Sequence, residues 1–400
     1  MTIPTLDSAK PQSPYRHGEY FGALDGFRGL LALLVAVFHT SWESWFNNTD
    51  FMDQGAVIID LFFVFSGFLM FRLYGNKIKS AADGRKFMVR RLARLYPIHF
   101  VMTMVFLVFA LLRIFAHKVG ISVHEVGEIL PFTAGAKESI WSLYTNLTLT
   151  QALGTNDSLT FNPPSWTISV EFFAYFTFIG MLIFAPPKRT RHFAFIGVGV
   201  VAIYVFLASQ KPDMDITYDL SFWRCLAGFY TGVIGAEIYR RIKLKQANNQ
   251  AQSGPYINAI EWLTLLAYIC FVSLCGGKLQ FFVGPMALLF VVVFAQDRGI
   301  VSRFMMRPVF GYLAKISYSV YMIHVIFAIL FDIFAERFIG GFLGSQWHDT
   351  YLWGDLYLIP YLLVVVGFAH LSVKYIEGPG AKLINRILKP RELALTSQTG

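Results

Sequence analysis

Residues 24–39 read LDGFRGLLALLVAVFH, an apolar run that carries an arginine at Arg28 and a histidine at His39. At roughly 100° per residue, the steps between them return the second side chain to within about 20° of the first. At 1.5 Å of rise per residue, the two lie roughly 16 Å apart on one face of a single helix. An arginine in hydrocarbon costs on the order of 2.5–3.5 kcal/mol, so a chain that keeps one either uses it or lets it snorkel to the headgroups. Arg28, close to the helix start, fits both readings. A deep histidine in phase with it points to function.

The rest of the chain fits a membrane setting. Of its 400 residues, 55% are hydrophobic, 17% aromatic and only 15% charged, against about 25% charged in a typical soluble domain. Mean hydropathy is +0.51. Runs near 20 apolar residues predict membrane helices at 24–46, 54–74, 97–116, 166–186, 193–209, 220–239, 259–275, 280–296, 316–335 and 355–376. The expected fold is an all-α, polytopic bundle of about ten transmembrane helices. Residues 24–376 form one membrane domain, with a cytoplasmic segment at 1–23 and a cytoplasmic tail at 377–400. The polar stretch before the first span lacks the short apolar core and cleavage site of a signal peptide.

When alternate loops are assigned to opposite sides, one side collects nearly all the lysines and arginines. The other keeps only Lys118, Lys137, Lys211, Lys278 and Arg337. That asymmetry places both termini in the cytoplasm. It also explains the net charge of +9 without nucleic acid. Cys225, Cys270 and Cys275 lie in or beside apolar runs with neither disulfide nor metal spacing, so they are small core residues and no metal is expected. The outward loop 117–165 ends in Asn162-Pro163-Pro164-Ser165, placed to cover the outer mouth or simply to connect.

Several further residues stand out. Asp60 interrupts IIDLFFVFSGFLMF; a buried carboxylate needs a partner, with Arg28, Arg72 or His39 as candidates, and a helix-packing ion pair is its plainer reading. In GRKFMVRRLARLYP, Arg90, Arg91 and Arg94 crowd about one turn before Pro97 at the expected cytoplasmic entry of the third span. Three guanidiniums there suit a polyphosphate, though positive-inside anchoring also explains the charge. Glu171, in NPPSWTISVEFFAYF, sits one turn inside an aromatic helix at a depth similar to that of His39, which suits proton transfer. His324, in ISYSVYMIHVIF, reads most plainly as a core histidine bonded to a neighbouring helix.

The segments LDGFRGLLALLVAVFH, DLFFVFSGFLM, RRLARLYP, SWTISVEFFAYF, SYSVYMIH and KYIEGPG occur in that order over about residues 24–380. Together they resemble the acyltransferase 3 family of integral-membrane O-acyltransferases. The resemblance implies an inner (plasma) membrane enzyme that takes an acyl group, commonly acetyl, from cytoplasmic acyl-coenzyme A and passes it to a hydroxyl of a cell-surface or exported carbohydrate. It carries functional residues onto Arg28, His39, Arg90, Arg91, Arg94 and Glu171. Asp60 is less secure, because Ile58-Ile59 precede it where the family usually has glycine and valine. Some members carry an additional hydrolase-like domain, and here the chain is expected to stop after the last span.

The expected mechanism follows from these positions. Arg90, Arg91 and Arg94 would hold the donor phosphates and Arg28 would guide the donor inward. His39 would act as general base, with Glu171 orienting or protonating it. The competing reading is a proton-coupled transporter or flippase of a glycan precursor, with His39, Asp60 and Glu171 as a relay; the lack of an internal repeat counts against it.

Overall fold

The structure, a computed structural model, describes residues 20–120, 129–249, 256–339 and 351–388. Most of the two expected cytoplasmic end segments, and parts of the 117–165 loop and the 246–256 linker, lie outside the described residues. Helix α1 is Gly22–Phe38, α2 Ile58–Tyr74, α3 Ala81–Lys118, α4 Ile140–Leu147, α5 Trp166–Phe184 and α6 Thr190–Gln210. Then come α7 Ser221–Asn249, α8 Tyr256–Leu274, α9 Val283–Phe294, α10 Pro308–Phe334, α11 Tyr351–Ser372 and α12 Gly378–Leu388. Short one-turn helices complete the described chain, and no strand occurs among the described residues.

Among the described residues, eight helices are long and apolar enough to cross a membrane. Two expected spans fall outside that set. Helix α1 has 17 residues, about 25 Å at 1.5 Å each. Helix α7 carries the charged run Arg240–Lys245 in its last turns. Apolar side chains that would be anomalous in water face outward in stripes, such as Val105, Val108, Leu112 and Phe115 on α3 and Val198, Val201 and Val205 on α6. A contiguous exposed apolar belt of this kind is covered by lipid. The chain is a multi-pass helical membrane protein.

Two boundaries differ from the sequence expectation for clear reasons. The first span was expected to run to residue 46, yet α1 ends at Phe38 and His39 becomes its C-cap. Beyond it, polar side chains compete for the backbone: Thr40 Oγ1 donates to Val37 O at 2.8 Å and Asn47 Nδ2 to Thr40 Oγ1 at 2.6 Å. The third span was expected from 97, yet α3 begins at Ala81 and runs through Pro97. A capping box starts it, the Ser80 hydroxyl accepting from Asp83 N at 3.2 Å and the Asp83 carboxylate from Ser80 N at 3.1 Å. The arginine cluster is therefore part of α3, where the sequence suggested a preceding loop.

Helix α2 packs along α7, and α1 along α10, which in turn packs along α11. The α2–α7 crossing is close enough that backbones touch. A Cβ added at Gly67 would fall 1.8 Å from Phe229 O, and one at Gly232 would fall 2.1 Å from Val64 O. At one end of the bundle, Asp297 caps α1 by accepting from Gly22 N at 3.0 Å and Ala23 N at 2.9 Å. Arg241, near the end of α7, reaches Thr190 at the start of α6 at 2.8 Å. The opposite end is tied by Ser41 to Asp332 at 2.5 Å and Asn48 to Tyr351 at 2.6 Å.

Candidate active site

A cavity holding about 1000 Å³ of space, part of it open to solvent, lies between α2, α3, α5 and α10. Its walls are mostly apolar, from Ile59, Phe62 and Phe65 on α2 to Leu95 on α3. Into it come Arg28 from α1, Arg91 and Arg94 from α3, and Glu171 from α5. Their convergence follows from the helices. Arg91 and Arg94 are three apart on α3, hence on one face, and α10 packs on both α1 and α3. Three guanidiniums and one carboxylate line the chamber, with Asp25 paired to Arg28 and Glu377 within electrostatic reach of Arg94 beside it.

Arg91 is held by aromatic rings. Its guanidinium lies 5.3 Å from the ring centroids of both Tyr74 and Phe87, and Nη2 donates to Tyr74 OH at 3.2 Å. Its buried Nε has no hydrogen-bond partner among the described residues. Arg91 is thus a half-buried arginine on the chamber wall, held by aromatic rings, with one buried donor unused. Arg28 pairs with Asp25 at 2.9 Å within α1 and touches Ala314 O at 3.5 Å. Arg90 is exposed and is absent from the lining; it sits beside Tyr74 outside the chamber.

Glu171 accepts hydrogen bonds from Ser66 Oγ and from Tyr175 OH, the latter at 2.6 Å. Tyr175 lies one turn along from Glu171 on α5, so both face α2. Among the described residues no hydrogen bond joins Glu171 to His39. The structure thus sets Glu171 among the arginines, where the sequence had placed it beside the histidine.

Asp60 is fully buried and pairs with Arg224 of α7, also fully buried, at 2.7 Å. None of its expected partners, Arg28, Arg72 or His39, holds it. Arg224 also donates to Ala56 O at 2.7 Å and Ile216 O at 3.2 Å, and lies 5.4 Å from the Trp166 ring centroid. Asp60 does not line the cavity. Its geometry is that of a packing ion pair between α2 and α7.

His39 is exposed at the end of α1, and its Nδ1 contacts Val35 O at 2.9 Å. Its ring centroid lies 4.9 Å from that of His324 on α10. One turn before His324 is Tyr321, whose ring is 5.9 Å from His324 and which lines the arginine chamber. Tyr321 OH donates to Pro164 O at 3.0 Å and accepts from Thr167 Oγ1 at 3.1 Å. Tyr321 therefore touches the chamber and lies beside the histidine pair. Tyr175 and Tyr321 escaped the sequence reading, although each falls one helical turn from a residue singled out there. Among the described residues no three His, Cys, Asp or Glu side chains gather as metal ligands.

The chain is similar to several known proteins. A Staphylococcus aureus (strain COL) protein, provisionally named an O-acetyltransferase, is 23% identical over 402 residues, covering 95% of this chain and 61% of its own length. The chain thus spans about three fifths of the length of that relative. A Bacillus subtilis (strain 168) protein, provisionally named a peptidoglycan O-acetyltransferase, is 36% identical over 91 residues, 22% of this chain and 13% of its own. An acyltransferase of Streptomyces mycarofaciens is 27% identical over 203 residues, 48% of this chain and 47% of its own. No solved structure matches the chain significantly. Residues 21–373 match the acyltransferase 3 family, described as an acyltransferase domain, and the chain belongs to that family of membrane acyltransferases.

Proposed function

We propose that this protein is an O-acetyltransferase of the inner (plasma) membrane. It would take the acyl group from cytoplasmic acetyl-coenzyme A and transfer it to a hydroxyl of a cell-surface or exported carbohydrate. The observation that carries the reading is the apolar chamber lined by Arg28, Arg91 and Arg94, which reaches Tyr321 and, behind it, the histidines. The guanidinium charge that Arg28, Arg91 and Arg94 bring to one chamber, with the unused Arg91 Nε, suits the phosphates of a coenzyme A thioester. Glu171 offsets part of that charge and, through Ser66 and Tyr175, holds α2 and α5 at the chamber wall.

His39 acts as general base. With Nδ1–H donating to Val35 O, its Nε2 carries the lone pair. As the acceptor oxygen attacks the thioester carbonyl, Nε2 takes its proton; the C–S bond then breaks and the proton returns to the departing thiolate. The exposed position of His39 suits an acceptor that arrives from the far side of the membrane. Relatives provisionally named O-acetyltransferases, one of them for peptidoglycan, favour acetyl and a carbohydrate. The lysine and arginine asymmetry favours a ten-helix topology with both termini and the chamber entrance in the cytoplasm.

Mass spectrometry of surface glycans from cells expressing wild type or His39→Ala tests the reading. Acetyl increments present with wild type and absent with His39→Ala are expected. Identical acylation in both strains refutes the role of His39.

A further inference from the structure

The chain that follows α1 folds over the start of α11. The two backbones touch there, since a Cβ added at Gly354 would fall 1.7 Å from Glu43 O. Phe46 N donates to Asp355 Oδ1 at 3.4 Å, and Asn48 Nδ2 to Tyr351 OH at 2.6 Å. The segment is also braced from within: Asn47 N donates to Ser44 Oγ and Asn48 N to Ser44 O, each at 2.9 Å. Asn47 Nδ2 reaches back to Thr40 Oγ1 at 2.6 Å, and Thr40 is the residue after His39. Residues 43–48 thus form a fixed surface, tied at one edge to the neighbour of the proposed base.

That surface displays an aromatic platform. Trp45 stacks on Tyr351 with ring centroids 6.3 Å apart and planes 20° from parallel. Since 61% of Trp45 is exposed, its other face is open. The lipid-facing stripes of α3 and α6 run along helices, whereas Trp45 sits in a non-helical turn between the exposed polar residues Glu43 and Asn48. Asn48 and Tyr351 use only part of their bonding capacity on each other. The Tyr351 hydroxyl proton and Asn48 Oδ1 have no partner among the described residues. A flat π-face edged by a free donor, a free acceptor and a carboxylate matches a sugar ring: the C–H bonds on one side of the ring meet the negative face, and the hydroxyls take the polar edge.

We propose that Trp45, Tyr351, Asn48 and Glu43 form the acceptor subsite. A sugar ring of the carbohydrate stacks on Trp45 and is held by its hydroxyls, while a further hydroxyl of the same molecule meets His39. The inference rests on the acyl-transfer reading of the site. None of the four residues lines the arginine chamber, so their loss weakens acceptor binding and leaves the donor alone. Stacking contributes equally before and during the transfer, so the loss falls on KM and spares kcat.

The test uses the full chain in proteoliposomes, with acetyl-coenzyme A as donor and free thiol as the readout. The probe acceptor is a set of glycan fragments released from the surface of cells that lack the protein. Trp45→Ala is expected to raise the apparent KM for the fragments about 3- to 10-fold, the scale of one aromatic contact, with kcat and the KM for acetyl-coenzyme A unchanged. Trp45→Phe keeps a π-face and is expected to stay within about twofold of wild type. Trp45→Leu keeps apolar bulk without that face and is expected to match Trp45→Ala. Asn48→Ala is expected to raise the same KM by about 3- to 10-fold, the scale of a neutral hydrogen bond.

An unchanged acceptor KM in Trp45→Ala overturns the proposal. So does a Trp45→Leu enzyme that keeps the wild-type KM, because Trp45 would then only anchor the segment at the membrane interface. A loss confined to kcat, or shared with the donor KM, overturns it as well, since the segment would then act through the fold or the base. Should Trp45→Ala fail to fold, the comparison of Trp45→Phe with Trp45→Leu decides. A wild-type protein that releases no thiol beyond the acceptor-free control shows instead that the reading of acyl transfer to carbohydrate has failed, and this inference falls with it.

Discussion

Replacing Arg224 by Met separates two accounts of Asp60, as a packing residue and as a chemical one. Both side chains of the pair are fully buried, and Arg224 meets both Asp60 oxygens at 2.7–3.3 Å. Met fills the volume but leaves a buried carboxylate without its cation and the carbonyls of Ala56 and Ile216 without their donors. Removing one partner of a buried pair costs about 3–5 kcal/mol, which sets the expected loss for Arg224→Met. Asp60→Asn is expected to cost nearly as much, because it strands the guanidinium. The double variant removes both charges and is expected to regain about 2 kcal/mol or more relative to additivity. Equilibrium unfolding in mixed detergent micelles measures all three, with acyl transfer by the folded fraction assayed alongside. A loss below about 1 kcal/mol for Arg224→Met refutes the packing argument. So does an Asp60→Asn protein that keeps its stability and loses its activity, since Asp60 would then act in the chemistry.

Arg91 and Arg90 are neighbours in sequence, but only Arg91 lines the chamber. Arg91→Ala is expected to raise KM for acetyl-coenzyme A by about 10- to 100-fold, the scale of a charge-assisted hydrogen bond. Arg90→Ala is expected to move it less than about threefold; equal effects in initial-rate kinetics refute the assignment of Arg91 to the donor. On the loop after α6, burial pushes Asp219 up, but the hydrogen bond and charge of Lys211 overrule it and hold the carboxyl below the usual range. Asp219 likewise raises Lys211 through their hydrogen bond. A depressed carboxylate stabilises above its unfolded pKa and loses that contribution as pH falls through its folded value. Lys211→Met is therefore expected to cost at most about 1 kcal/mol near neutral pH and nothing in strong acid, as read by unfolding at pH 7 and pH 2.

The sequence showed which groups were costly, and the structure shows where each one is satisfied. An arginine at Arg28 or a carboxylate at Asp60 is conspicuous in an apolar run because hydrocarbon penalises it, and that penalty is readable from one helix alone. The partner is not. Arg224 reaches Asp60 because Gly67 and Gly232 let α2 and α7 touch backbone to backbone, a fact of packing that hydropathy does not encode. The same limit explains Glu171. Depth along a helix was legible, and it put Glu171 level with His39, but the azimuth was not. Tyr175, one turn on, shows the face that Glu171 shares, and that face looks towards Ser66 on α2. The end of α1 was misplaced for a different reason. Trp45 and Phe46 continue the apolar pattern while Thr40 and Asn47 bond locally and stop the helix.

What the sequence could least convey is the place of Tyr321, which lines the chamber and lies beside His324. An acyl thioester is exposed to hydrolysis wherever water reaches its carbonyl, and a base at an exposed helix end stands in water. The proposed function, with donor entering from one side and acceptor from the other, would therefore need a barrier between the arginines and the proposed base until both substrates are present. Tyr321, lining the chamber beside His324, is the residue placed for that role, anchored to Pro164 and Thr167 at the start of α5. Its anchors belong to the segment that closes the outward loop 117–165, and its own helix carries His324 one turn on. Movement of that segment on acceptor binding would reach Tyr321 through two hydrogen bonds and the histidine pair through one helical turn. In the proposed mechanism Tyr321 would thus be the contact that couples the arginine chamber to the histidine pair.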